Sequence, residues 1–117
     1  MQDDTRESLE AALAWLINAD AGDYALTWEQ AASYARVQVP KAEWVEMMAR
    51  SREPLGEVID RIPVSSQRAD ELPGAPSGEY AVHEFRTVFS GGAELGERVT
   101  TMRDGDGQLR VAGYYLV

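Results

Sequence analysis

The sequence predicts an α+β domain in which three N-terminal helices pack on one face of a curved, four-stranded antiparallel sheet. Three observations carry that expectation. Apolar residues recur with helical spacing as far as Arg52, they alternate in short extended runs after Gly56, and Gly-rich turns separate those runs. No internal repeat or long linker divides the chain, so residues 1–117 are expected to form one domain, helical over 5–53 and sheet over 57–117.

The first helix opens on Asp4 and Glu7, which have the spacing of a capping box. Leu9, Ala12, Leu13, Leu16 and Ile17 then mark one face of a helix that stops at Gly22. Asp23 suits the cap of a second helix carrying Tyr24, Trp28, Ala31, Ala32 and Ala35. Pro40 ends that stretch and opens a third helix with Trp44, Val45, Met48 and Ala49 inward. In the second half, Val58–Ala69 is a strand that Pro63 demotes to an edge or a bulge. Leu72-Pro73-Gly74-Ala75-Pro76-Ser77-Gly78 is a rigid loop, and strands are expected over Glu79–Phe89, Glu94–Arg103 and Gln108–Val117.

Composition narrows the function classes. Twenty acids against 11 bases give a net charge of -9, and the bases are scattered, which disfavours a nucleic-acid partner. The chain has no cysteine, so disulfides, thiolate metal sites and cysteine nucleophiles are excluded. No apolar run is long enough for a membrane span. Asp104-Gly105-Asp106-Gly107 lacks the further ligands of a calcium loop and reads as a turn. No phosphate-binding glycine loop, nucleophile elbow or metal-ligand spacing occurs, so no cofactor, metal or catalytic residue is assigned.

Two-residue hairpin loops at Gly91-Gly92 and Gly105-Asp106 would place Arg86 opposite Glu97 and Arg98 opposite both Phe85 and Gly113. On that register His83, Phe85 and Arg98 face the helices. His83, Arg98, Phe85 and Trp28 are then candidates to line a pocket for an anion between sheet and helices. The plainer alternatives are a hydrogen-bonded core histidine, an arginine in an internal ion pair, and tryptophans that simply fill the core. The opposite face would carry Val82, Val99, Ala112, Tyr114 and Leu116, half apolar, and suits the interface of a homodimer.

Leu16–Tyr24, Pro54-Leu55-Gly56, Leu72-Pro73-Gly74-Ala75-Pro76, Gly78-Glu79-Tyr80, Glu97–Thr100 and Val111-Ala112-Gly113-Tyr114-Tyr115 resemble a bacterial family catalogued as domain of unknown function 4019. The resemblance covers nearly the whole chain and carries over no functional residue. Because members of that family generally begin with a secretory leader, it implies Gln2 as the first mature residue, Met1 as an addition, and a periplasmic or secreted location; the polar start by itself also suits a cytoplasmic protein. The order of elements is also similar to the ketosteroid isomerase and nuclear transport factor superfamily, or to cystatin-like folds, an analogy that does not specify function. The expected role is a non-enzymatic cell-envelope domain that binds a protein partner or a small ligand. The alternative is a small-molecule enzyme of isomerase or dehydratase type. It would use His83 with a helix carboxylate (Asp20, Asp23, Glu29 or Glu43) and Arg98 for an anionic substrate.

Overall fold

A computed structural model describes residues 5–117; Asp4 of the expected capping box, with Met1 and Gln2, lies outside them. The elements run α1 (Thr5–Asp20), α2 (Tyr24–Glu29), α3 (Ser33–Gln38), α4 (Lys41–Arg52), a short 3₁₀ turn (Glu53–Leu55), then β1 (Val58–Ala69), β2 (Tyr80–Phe89), β3 (Glu94–Arg103) and β4 (Leu109–Leu116). The strands form an antiparallel meander in the order β1-β2-β3-β4. Helix α1 crosses the sheet, burying Ala12, Trp15, Leu16 and Ala19 against Phe85, Val99 and Val111. Among the described residues no helix is long and apolar enough to cross a membrane.

The expected second helix is two helices. Its propensity is continuous, but Ala31 is drawn into a parallel bridge with Val111, where Ala32 N–H donates to the Val111 carbonyl at 2.8 Å. Backbone pairing at the sheet edge thus outcompetes helix propagation through Gln30–Ala32. Asp23 caps α2 as expected, accepting from Leu26 N–H. Helix α3 takes its cap from a distance: Asp104 Oδ2 in the last hairpin accepts from Ser33 N–H and Oγ–H, both at 2.9 Å.

Both hairpin registers differ from the two-residue-loop expectation. Phe89 N–H donates to the Ala93 carbonyl, so the first loop is Ser90-Gly91-Gly92, with Gly92 at φ +100° where a side chain would be strained. Phe85 therefore lies opposite Glu97, and Arg86 opposite Gly96. A slip of one residue exchanges the faces of β3, turning Glu97, Val99 and Thr101 inward and Arg98 outward. On β4 a bulge between Val111 and Gly113 exchanges the faces again, so Tyr114 and Leu116 point to the helices and Tyr115 to the opposite side. β1 is an edge strand with irregularities around Ile59 and Val64, in keeping with Pro63.

Candidate functional site

Three places concentrate polar chemistry or open volume. The first is a buried charge cluster where α1, α4 and the sheet meet. Glu97 is 0 % exposed. Its Oε1 accepts from Arg61 Nε at 2.7 Å and from Thr87 Oγ1 at 2.5 Å, while Oε2 accepts from the Tyr114 hydroxyl. Arg61 also forks onto Asp20 at 2.8 and 2.9 Å, and the buried Arg52 reaches Asp20 at 3.0 Å. The Arg52 guanidinium lies 5.3 Å from the Phe89 ring centroid.

Two cations and two anions balance. Burial opposes the charge on Arg61, but its hydrogen bonds and proximity to Asp20 and Glu97 outweigh this and hold its pKa above the ordinary value. Burial, reinforced by the Glu97 charge, pushes the Tyr114 phenol up as well, so it stays a donor. The cluster spends its hydrogen bonds internally and joins the C-terminal ends of α1 and α4 to all four strands.

The second place is His83, wholly buried on β2. Ser8 Oγ donates to the Thr5 carbonyl, so it accepts from His83 Nε2–H at 3.0 Å, leaving Nδ1 to accept from Ser66 Oγ at 2.7 Å. Those bonds hold a neutral ring with no carboxylate beside it among the described residues, and burial lowers its pKa. The unfolded chain takes up this proton near pH ~6.5. Between the lowered folded pKa and that value the unfolded state binds more protons, so stability rises with pH there and falls on acidification. The thermal midpoint of the protein should therefore drop between about pH 7 and pH 5, and the drop should shrink in His83→Gln. Parallel melting curves for the two proteins across that range check this.

The third place is open. On the sheet face away from α1, the 70–79 loop is tied down by Tyr34 Oη donating to the Gly74 carbonyl at 2.7 Å and Tyr80 Oη donating to the Pro76 carbonyl at 2.5 Å. Leu72 and Ala75 of the loop pack there on Ala32, Tyr80 and Met102 as a second apolar cluster. Beside the loop runs a groove of about 500 Å³. Its floor holds Val82, Thr100 and Ala112 together with the Glu84–Arg98 ion pair at 2.8 Å, and Ser65 and Gln67 line its β1 side. Tyr115 forms another wall, its ring lying so close over Gly113 that a Cβ there would sit 2.9 Å from it. Around Tyr34 and Tyr115 the groove meets a second of about 350 Å³, between β4 and the helices α3 and α4.

The structure separates the sequence-derived candidates. His83 and Phe85 are buried beneath the helices, as expected. Arg98 is not with them: the three-residue loop puts it on the opposite face, its side chain 44 % exposed and paired with Glu84. Trp28 donates Nε1–H to the Val39 carbonyl at 2.8 Å and has Arg36 and Lys41 over its ring, within the helical layer. The four residues expected in one pocket therefore do not converge. Of the expected dimer surface, Val82 and Ala112 do lie on the sheet face away from α1. Val99 is 0 % exposed in the core, and the Tyr114 and Leu116 side chains turn toward the helices; all three are corrections, the first caused by the three-residue loop before β3 and the other two by the bulge in β4. Tyr34, Tyr80 and Tyr115 were missed. The Pro-Gly-Ala-Pro loop next to Tyr80 was the one local hint of a covered outer face. Among the described residues no three His, Asp or Glu side chains converge as a metal site.

Helices packed with one antiparallel meander, with a groove on the sheet face away from α1, define an α+β domain of open-sheet type. The family model described as "Protein of unknown function (DUF4019)" matches residues 11–114, and the chain belongs to that family. No curated protein and no solved structure matches it.

Proposed function

We propose that this is a non-enzymatic cell-envelope domain that binds a protein partner or a small ligand at the groove on the sheet face away from α1. The observation that carries the reading is the arrangement around Tyr34, Tyr80 and Tyr115. A proline-rich loop is anchored at the rim, and the floor mixes apolar side chains with hydrogen-bonding groups. Concave surfaces of this size that combine apolar side chains with fixed polar groups are where ligands bind. The isomerase-type alternative called for a carboxylate-oriented His83 and an inward Arg98; His83 bonded to two serines and Arg98 bonded to Glu84 favour the binding reading.

The test uses a photo-crosslinking amino acid in the full protein within its own cells, placed at Tyr115 or at Leu13 on the far helix. We expect a discrete adduct from position 115 alone, recovered in the envelope fraction. Identical patterns from both positions, or recovery in the cytoplasm, would sink this reading.

A further inference from the structure

We infer that the cleft between β4 and helices α3–α4 takes an extended peptide segment of another protein, added to the sheet as a fifth strand. The inference rests on the binding reading above and specifies its partner. β4 is an edge strand. Val117 exchanges both backbone hydrogen bonds with Gly96, so by the alternation of the antiparallel ladder Tyr115 also bonds toward β3. Tyr114 and Leu116 consequently aim their N–H and C=O groups outward into the cleft, where among the described residues they have no backbone partner.

The same edge is already used once by the chain itself. Ala31 bridges Val111 in parallel, and the Val111 carbonyl is taken by Ala32 N–H; beyond that point the chain turns away into α3 and the edge is left open. An added strand would continue a pairing that residues 31 and 32 begin.

The walls select an extended, alternating sequence. Facing the edge across about 350 Å³ are Ala35, Val39, Trp44, Met47 and Met48. Methionines make a wall that adapts to different apolar side chains. In an added strand, one set of alternate side chains meets these helical residues, and the other set falls on Tyr115 and Ala112, at the entrance to the larger groove. Main-chain bonds give affinity and the two side-chain sets give selectivity, the recognised division of labour in strand addition. The chain's charge of -9 favours basic flanks on the incoming segment.

The probe is an acetylated and amidated peptide, Lys-Val-Thr-Val-Thr-Val-Lys, titrated into the isotope-labelled protein. Two further peptides are methylated on alternate backbone nitrogens, one in each register. We expect the amide resonances of Tyr114 and Leu116 to move, and one methylated peptide to bind about tenfold more weakly than the other, because methylation in one register removes the edge-facing donors.

Equal affinity of the two methylated peptides overturns strand addition. So does the absence of binding by any of them up to about 1 mM. A dimer that forms without peptide and moves the same two resonances assigns the edge to a second copy of the chain and also overturns the inference. A partner crosslinked at Tyr115 alongside any of these failures leaves the binding reading standing and removes only the peptide.

Discussion

Glu97→Ala is expected to destabilise the protein by about 3–5 kcal/mol, the usual result of removing one partner from a buried ion pair. The carboxylate accepts three hydrogen bonds in the fold, and its removal leaves the Tyr114 and Thr87 hydroxyls without their acceptor. Arg61 would retain only Asp20, at the cluster's more exposed side. The buried cluster would then hold two cations against one anion, a state the low-dielectric interior penalises.

This size of effect does not mean that the intact cluster adds the same amount to stability. Desolvating four charged side chains offsets much of their attraction, so Arg61→Met combined with Glu97→Leu should lose clearly less than the two single changes summed. Urea unfolding of the four proteins in that cycle measures the coupling. An additive result would show that Arg61 and Glu97 act independently, against the 2.7 Å bond between them.

Phe85→Ala should lose a similar amount, about 3–5 kcal/mol, for a different reason. Phe85 is 1 % exposed and sits in the cluster formed by Trp15, Leu16, Val99 and Val111. Truncation removes the ring's burial and leaves a cavity that α1 and three strands can close only partly. Ile62→Ala is the control: that side chain is 54 % exposed on the edge strand, and its loss should stay within about 0.5 kcal/mol. Denaturant midpoints for both variants separate the two faces of the sheet energetically. A Phe85→Ala loss no larger than that of Ile62→Ala would refute the assignment of the core.

The strand β2 was legible in the sequence because its alternation is strong and its inward side is marked by the apolar Ala81, Phe85 and Phe89. β3 was not. Its alternate residues are mixed on both faces, so its orientation depended on the length of one loop, and Ser90-Gly91-Gly92 suits a three-residue loop as well as Gly91-Gly92 suits a two-residue one. Electrostatic reasoning pointed the wrong way there. The tempting match of Arg86 with Glu97 is replaced by Arg86 with Glu94 and Glu97 with Arg61. The bulge at Ala112 carried no local signal, yet it decides which side of the sheet Tyr114 and Tyr115 occupy. The break in the second helix was hidden for a related reason, since Ala31 leaves the helix to pair with a strand 80 residues later in the chain. What the sequence conveyed was local. The site was assembled by loop length, a bulge and a bridge, all of them contingent on pairing between distant segments.

The cap that Asp104 provides to α3 bears on how the protein comes together. Six residues are too few to hold a helix in water, and the helix's own N-cap, Ala32, supplies no side-chain acceptor. The acceptor it uses lies 71 residues further along, in the turn between β3 and β4. Helix α3 is therefore expected to gain full stability only once that hairpin has formed, after loop closure over this separation. In the native state the two would open as one cooperative unit, so exposure of the cleft that α3 borders is tied to the integrity of the distal turn.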